Sequence, residues 1–280
     1  MPLKVPSALC CMNETVKYRR GGAFLEREKR REREWNENQL EGRNAVLEVL
    51  RSGRDIEKIM VQKGNVEGTI KRIVAQAAEK GVVIQEVSRQ KLDELSQTKN
   101  HQGVIALVSA HDYVEVEDIL AVARAKGEDP FIILLDGITD PHNLGAILRT
   151  AECAGAHGVI IPKRRSVGLN ATVGKTSAGA IEYMPVAKVT NLVKTMEQLK
   201  KEGLWFACAD MGENDHFDTN LKGPIGLVIG SEGEGVSRLV KENCDFTASI
   251  PMYGKISSLN ASVAAALLMY EVVRQRNYSK

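Results

Sequence analysis

Apolar residues follow two different patterns along the chain, and the change between them divides it into regions. Residues 1–37 show neither a helical nor a strand period. From Gln39 to Ala110, short apolar runs alternate with segments of helical spacing, whereas from Phe131 onwards the apolar runs are continuous. The patterns therefore predict a charged tail over residues 1–37, a small α/β domain over 38–110, a linker over 111–130 and a larger α/β domain over 131–280.

The small domain is predicted to alternate helices and strands within about the size of one compact module. In chain order, its predicted elements are a helix around 46–50, a strand 56–61, a helix 67–80, a strand 82–87, a helix 88–95 and a strand 104–108. The linker is predicted to hold one further helix over 116–125, which ends before Gly127 and Pro130.

The larger domain is predicted to contain a parallel sheet. Continuous apolar runs are typical of strands that are buried on both faces, and helical segments between them complete a repeating strand–helix order. The predicted strands are 131–135, 158–161, 204–209, 225–229 and 246–250, and the predicted helices are 143–154, 170–180, 191–202, 235–241 and 260–274.

The composition is that of an ordinary globular protein, with 43% hydrophobic and 26% charged residues. No stretch approaches the ~20 apolar residues that a membrane span needs, and the first residues do not resemble a signal peptide. The five cysteines form no C-x-x-C pair, so we expect neither a disulfide framework nor a metal site. These features predict a cytoplasmic protein with reduced thiols and no membrane partner.

The net charge is only +2, but the basic residues are clustered. One cluster lies in the tail, and Lys163, Arg164 and Arg165 form a second row. Such a row is either a solvated turn or a set of phosphate contacts to a nucleic acid, and charge alone leaves both interpretations open.

Three loops follow predicted strands of the larger domain, where ligands gather in open parallel sheets. The first loop, residues 136–145, leads into a helix and contains Asn143, and Arg149 follows within that helix. Asn143 is either the N-cap of the helix or part of a site, and Arg149 is either a surface charge or a site residue.

The second loop, residues 230–235, reads GSEGEG, and its glycines let backbone amides approach a ligand closely. The glycine order does not match the dinucleotide fingerprint, and the two carboxylates would repel a pyrophosphate. The chain also contains no P-loop motif. A nucleotide-dependent oxidoreductase is therefore excluded, while a loop without any ligand stays open.

The third loop, residues 251–262, carries Ser258, Asn260 and Ser262 and precedes the run Val263-Ala264-Ala265-Ala266. These polar residues are either caps of the last helix or part of a site. The small residues suggest that another helix or backbone packs closely there, although a generic buried helix has a similar composition.

Taken together, in this order and at these spacings, the three loops resemble the three motifs of the SpoU (TrmH) branch of the SPOUT RNA ribose methyltransferases. The resemblance covers residues 39–277, and the small domain resembles the ribosomal-protein-like RNA-binding domain of RlmB-type 23S rRNA guanosine 2′-O-methyltransferases. It implies a parallel-sheet domain with a deep C-terminal trefoil knot that binds S-adenosylmethionine. It also implies a homodimer whose knot helices pack together and in which an arginine of one subunit serves the cofactor of the other.

The resemblance further implies roles for individual residues. The implied catalytic residues are Arg149, Asn143, Glu232, Ser258 and Asn260. The implied cofactor contacts are Gly230, Ile250 and Leu259, with Met252 and Ala209 as walls of the pocket. Beside an RNA active site, the expected phosphate contacts are Lys163, Arg164 and Arg165. Because a guanidinium is effectively always charged, Arg149 is expected to stabilise negative charge rather than to act as a plain general base.

Two alternatives remain within this resemblance. The substrate is a guanosine of 23S rRNA or, as for related family members, a tRNA. The chain is either an enzyme or a non-catalytic RNA-binding factor of ribosome assembly that keeps the fold without the chemistry. Asn143, Arg149 and Gly230 are all present, which favours the enzyme, and the separate small domain favours rRNA.

Overall fold

Two β-sheets organise the part of the chain that the structure describes. A computed structural model describes residues 38–52, 54–64, 68–211 and 215–278. The predicted tail over residues 1–37, which includes Cys10 and Cys11, lies outside the described residues. A four-stranded sheet belongs to the small domain and a six-stranded sheet to the larger domain.

The small domain packs helices on both faces of its mixed sheet. Its elements are β1 (Gln39–Glu41), α1 (Arg43–Ser52), β2 (Ile56–Gln62), α2 (Gly68–Glu79), β3 (Ile84–Val87), α3 (Arg89–Leu95) and β4 (Val104–Val108). The strand order is β1-β4-β2-β3, in which β4 runs antiparallel to both neighbours and β3 runs parallel to β2. Ile59 of β2 packs with α1 and α2, whereas the next residue, Met60, packs with Leu92 of α3 on the opposite face.

The larger domain alternates strands and helices along most of its length. Its elements are α4 (Val116–Lys126), β5 (Phe131–Asp136), α5 (Pro141–Cys153), β6 (Gly158–Pro162), α6 (Ala171–Thr176), a 3₁₀ turn (Ala180–Glu182), β7 (Val186–Val189), α7 (Leu192–Lys201), β8 (Trp205–Ala209), β9 (Ile225–Gly230), α8 (Arg238–Glu242), β10 (Phe246–Ala248) and α9 (Ala261–Tyr278). The strand order is β10-β8-β9-β5-β6-β7.

The six-stranded sheet is buried on both faces. Along β5, Phe131, Ile133 and Leu135 pack with α5 and α9, whereas Ile132 and Leu134 pack with α4 and α7 on the other face. All five are at most 1% exposed, as their continuous apolar run predicts. Every neighbouring pair of strands in this sheet runs parallel, so the predicted α/β fold with a parallel sheet is confirmed. The trefoil knot stays a prediction.

Some elements differ from the prediction. The strands β1 and β7 were not predicted, because β1 has only three residues and Lys188 interrupts the apolar run of β7. The helix α5 begins at Pro141 rather than at 143, because Asp140 Oδ1 accepts a hydrogen bond from His142 N over 3.0 Å and caps the helix. The helix α6 is shorter than the predicted helix 170–180.

The helix of the predicted linker packs onto the six-stranded sheet. Ile119 of α4 is fully buried and lies in the same apolar cluster as Ile132 and Leu134. Just before α4, Val114 forms a parallel bridge with Ala187 of β7. The segment from Val114 to the end of α4 is therefore held against the larger domain.

Among the described residues, no helix is both long and apolar enough to cross a membrane. The same residues contain no group of three or more His, Cys, Asp or Glu side chains that could hold a metal ion.

Candidate active site

A cleft of about 670 Å³ opens at the carboxyl ends of β8, β9 and β10. Loops at this edge of an open parallel sheet are the usual place for a ligand, because the strand ends present several chain segments to one space. The residues predicted to contact the cofactor all line this cleft: Gly230, Ile250, Leu259, Met252 and Ala209. The structure therefore brings the second and third predicted loops together with the end of β8.

The glycine loop forms one wall of the cleft and is closed on itself. Ser231 N donates to Gly235 O over 3.1 Å, and Gly235 N donates to Ser231 O over 3.0 Å. A Cβ atom at Gly230 would lie 2.1 Å from the backbone carbon of Gly235, and a backbone cannot turn aside as a side chain can. The shape of the loop itself therefore requires glycine at position 230, in addition to any room that a cofactor needs.

Asn143, Glu232 and Asn260, one from each predicted loop, meet in a single hydrogen-bonded cluster. Asn143 Nδ2 donates to Glu232 Oε1 over 2.9 Å. Asn260 Nδ2 donates to Asn143 Oδ1 over 2.9 Å and also to Glu232 Oε1. The Asn143 amide thus joins the first loop to the other two, and we call these three residues the amide–carboxylate cluster.

Local capping explains why both asparagines can take part in this cluster. Asp140 caps α5, which leaves the Asn143 side chain, 8% exposed, to point at the neighbouring loops. Asn260 serves two purposes: its Oδ1 accepts from Ser262 N over 3.0 Å at the start of α9, while its Nδ2 donates into the cluster. The interpretation of Asn143 as an N-cap is wrong, and the capping interpretation of Asn260 describes only the contacts of its Oδ1.

The cleft is acidic. Asp210, Glu232 and Glu234 line it, and no lysine or arginine does so among the described residues. Sequence reasoning missed Asp210, which directly follows β8 and also pairs with Lys241. Its signal was the same as that of the three loops, namely a polar residue directly after a buried strand.

Arg149 and Ser258 are not part of the amide–carboxylate cluster. Arg149 is exposed on α5 and does not line the cleft; six positions after Asn143, it lies about 240° further around the helix. Ser258 lines the cleft and is exposed, and among the described residues no hydrogen bond of its side chain is found. A single chain therefore positions the cluster but leaves Arg149 outside the cleft.

The basic row follows β6, at a distance along the sheet from the cleft. Arg164 and Arg165 are exposed and Lys163 is half-buried. Lys163 lines a second cavity, of about 280 Å³, that lies between the small and the larger domain. Lys163 thus lies between the two domains, and none of the three basic residues lines the acidic cleft.

A pair of thiols lies behind the cleft. A hydrogen bond with Cys244 lowers the pKa of Cys208, in β8, although burial opposes this shift. Neither thiol lines the cleft. We therefore assign them to the core that supports β8.

Comparison with known proteins decides the family. Residues 130–270 match the SpoU rRNA methylase family, and residues 39–114 match the family of RNA 2′-O ribose methyltransferase substrate-binding domains. This chain belongs to the SpoU methylase family. The predicted enzyme class, an S-adenosylmethionine-dependent RNA 2′-O-ribose methyltransferase, is confirmed by this membership.

The relatives of this SpoU methylase include a protein of Bacillus subtilis named as a TrmH family tRNA/rRNA methyltransferase, YacO. The two are 51% identical over 238 residues, which cover 84% of this chain and 95% of the relative. A TrmH family relative from Staphylococcus saprophyticus is 48% identical, with coverages of 85% and 95%. Among solved structures, the SpoU methyltransferase AviRb from Streptomyces viridochromogenes is 25% identical, with a TM-score of 0.55 and coverages of 90% and 92%.

The acidic cleft of this SpoU methylase fits S-adenosylmethionine. A cationic sulfonium is favoured beside Asp210, Glu232 and Glu234, whereas the phosphates of a nucleotide would be repelled. Ile250 and Leu259 offer apolar walls for an adenine, and the tight glycine loop exposes backbone groups to polar atoms. When bound, the cofactor would supply an electrophilic methyl group at this edge of the sheet.

Proposed function

We propose that this chain methylates the 2′-hydroxyl of a guanosine ribose in 23S rRNA. The observation that carries the proposal is the amide–carboxylate cluster, which joins three loops beside an acidic cleft. The substrate-binding match over residues 39–114 supports a ribose of RNA as the acceptor. Because the names of the relatives include both tRNA and rRNA, a tRNA is the second candidate.

Arg149 is proposed to stabilise negative charge on the ribose oxygen. A 2′-hydroxyl must lose its proton as it attacks, and a cation within hydrogen-bonding reach lowers the energy of the developing alkoxide. The proton leaves to a phosphate oxygen of the RNA or to water, because a guanidinium has no acceptor.

The other proposed catalytic residues hold the loops in place and orient the substrate. Glu232 accepts hydrogen bonds from both Asn143 and Asn260, so it fixes the glycine loop against the two neighbouring loops. Ser258 is exposed at the cleft and offers a hydroxyl donor to a ribose or phosphate of the substrate. The three hydrogen bonds hold the three loops at fixed positions around the cleft.

A second copy of the chain is proposed to complete the site. Val263, Leu267 and Tyr270 lie on one face of α9 and are 47%, 45% and 51% exposed. The neighbouring third loop exposes Tyr253 and Ile256 by 95% and 77%. An apolar surface of this kind beside a cleft that lacks Arg149 supports a homodimer in which one subunit supplies Arg149 to the other.

The small domain and the basic row are proposed to bind the RNA. Lys163 lines the cavity between the two domains, and Arg164 and Arg165 are the next two residues of the chain, so an RNA held by the small domain would pass close to them. Contacts of lysine and arginine with phosphates release counterions, so binding should weaken steeply with salt. Acting on ribosomal RNA with reduced thiols would place the protein in the cytoplasm.

Mapping of ribose methylation by mass spectrometry tests the substrate. RNA from a strain that lacks this protein should lose one 2′-O-methylguanosine in 23S rRNA, and re-expression of the wild type should restore it. Re-expression of Arg149→Ala should not restore it. Loss of a tRNA methylation would establish the second candidate, and unchanged methylation in both RNAs would favour the non-catalytic assembly factor.

Isothermal titration of the full chain tests the cofactor site. S-adenosylmethionine should bind the wild type, and Gly230→Val should abolish binding because its side chain would collide with the glycine loop. Gly254→Ala is the matched control, because a Cβ at Gly254 meets nothing within 4 Å. A folded wild-type protein that shows no binding would refute this part of the proposal.

A further inference from the structure

Glu57 of the small domain points across the boundary to the larger domain. It lies in β2 at a register shift between Ile56 and Lys58, where the pairing with β4 is irregular. An irregularity of this kind places an extra residue in one strand and turns its side chain away from the regular alternation. The side chain of Glu57 is only 14% exposed, and the contacts that cover it come from outside its own sheet.

The partners of Glu57 come from outside the small domain's sheet. Its carboxylate accepts a hydrogen bond from the Tyr113 hydroxyl and forms an ion pair with Lys188 of β7. The Lys188 side chain is 12% exposed, and its Nζ lies 4.8 Å from the centre of the Tyr113 ring. Two nearly buried charges thus neutralise each other across the boundary, and loss of either would leave the other without a partner.

Backbone contacts surround this pair on both sides. Leu169 N, in the larger domain, donates to the Tyr113 hydroxyl over 2.9 Å, and Tyr113 N donates to Asp55 Oδ2 of the small domain over 3.2 Å. Ala110 N donates to Leu169 O over 2.8 Å. Tyr113 is therefore held from both domains at once, and burial, together with the charge of Glu57, raises its pKa.

Gly168 leaves room for the Glu57 carboxylate because it has no side chain. A Cβ atom there would lie 2.0 Å from Oε2 of Glu57, and its other nearest atoms also belong to the Glu57 carboxylate. The neighbour in the way is the end of a flexible side chain, so an alanine would displace the carboxylate rather than the backbone. Gly168 thus admits Glu57 between Tyr113 and Lys188.

We propose that Glu57, Tyr113 and Lys188 form a latch that fixes the small domain at a set orientation to the methyltransferase domain. The role of this latch in catalysis rests on the function proposed above. The latch borders the cavity that Lys163 also lines, so it sets the distance between RNA held by the small domain and the acidic cleft. Glu57 is then a positioning residue, because it acts through the placement of the RNA.

Hydrogen exchange of the full chain tests the latch without RNA. Glu57→Lys and Lys188→Glu should each speed exchange at Ala110, Tyr113 and Leu169, because opening of the boundary breaks their hydrogen bonds. The double variant with both changes should restore slow exchange, since the opposite charges face each other again. The matched control is Lys200→Glu, which removes an ion pair with Asp245 that lies wholly within the larger domain; it should leave these amides protected.

Methylation of the natural RNA provides the second measurement. Each single charge variant should lower kcat/KM by about tenfold or more, because a small misplacement of a substrate has a large effect on rate. Affinity for S-adenosylmethionine should not change, and the double variant should recover the rate. Unchanged exchange in both single variants would overturn the latch. Faster exchange with an unchanged methylation rate would overturn its role in placing RNA.

Gly168→Ala keeps the proposal testable if the charge variants fail to fold. It should speed exchange at the same amides in the wild-type background but add nothing in a Glu57→Ala background, where no carboxylate is in the way. An equal effect in both backgrounds would overturn the proposal. If no RNA is methylated by any form of the protein, the proposed function fails, while the exchange measurements still decide on the latch.

Discussion

The amide–carboxylate cluster and the segment 252–259 lie beside the same cleft, but a single chain supplies bonding partners to the first and leaves the second exposed. Asn143, Glu232 and Asn260 satisfy one another by hydrogen bonds. Every residue of the segment 252–259 is exposed, as is Arg149. One side of the site is thus built by the monomer, whereas the other side presents apolar surface without a partner.

This difference suggests a division of labour within the site. Buried polar groups are costly to leave unpaired, so the cluster is satisfied within one subunit and holds the three loops together. Exposed apolar residues gain by association, so the remaining side is suited to assemble with a second subunit. The first three of the following changes each act on one side of this comparison.

The largest effect is expected at Arg149. Arg149→Ala and Arg149→Lys should each lower single-turnover methyl transfer by ~100-fold or more, because a charge-stabilising group is lost or loses its planar fork. Binding of S-adenosylmethionine should persist in both, because the predicted cofactor contacts Gly230, Ile250 and Leu259 are unchanged. Near-normal transfer by a dimeric, cofactor-loaded Arg149→Ala protein would move the catalytic assignment to another group.

Leu267→Glu should weaken the proposed dimer. An unpaired carboxylate at the centre of the exposed face of α9 would cost about 2 kcal/mol, or roughly 30-fold in dimer affinity. Sedimentation equilibrium measures this change, and methyl transfer should fall with the dimer fraction. The control is Leu239→Glu, since Leu239 of α8 is 59% exposed and lies away from this face. Equal behaviour of the two variants would place the interface elsewhere.

The amide–carboxylate cluster should show coupled energetics. Asn143→Ala and Asn260→Ala should each lower the free energy of unfolding, and the double variant should differ from their sum by about 1 kcal/mol, because the two side chains bond each other. Urea denaturation measures all three. Asn191→Ala removes the cap of α7 at a separate place, so its effect should simply add to that of Asn143→Ala. Additivity in both cases would mean that the cluster does not act as a unit.

The smallest effect concerns pH. Burial lowers the pKa of His157 below its usual 6.5, and its Nδ1 accepts from Phe131 N over 2.9 Å, which requires the neutral ring. The folded state therefore binds fewer protons at His157 than the unfolded state. The contribution of His157 to the free energy of unfolding is thus fully present above about pH 6.5 and is lost as the pH falls below it. The wild-type melting temperature should drop more between about pH 7.5 and about pH 5.5 than that of His157→Gln. His142→Gln, at an exposed histidine, should follow the wild type.

The sequence by itself determined the sheet and the convergence of the three loops. Continuous apolar runs such as 131–135 are buried on both faces whatever the strand order, so a parallel sheet could be predicted from them. Because the carboxyl ends of parallel strands share one edge, Asn143, Glu232 and Asn260 could be expected to lie near one another. Membership of the SpoU family was visible from the same residues.

Only the tertiary structure decided how these residues are used. Whether Asn143 caps a helix depended on Asp140, three positions earlier, taking that place. The orientation of Arg149 away from the cleft follows from the helix that begins at Pro141, and the pairing of Glu57 with Lys188 joins residues 131 positions apart. Hydrophobic periodicity predicts which residues are buried, but it carries no information on which distant partner a buried polar side chain contacts. That choice is made by the packing of the whole chain, because a buried polar group is stable only where a specific partner lies within hydrogen-bonding distance.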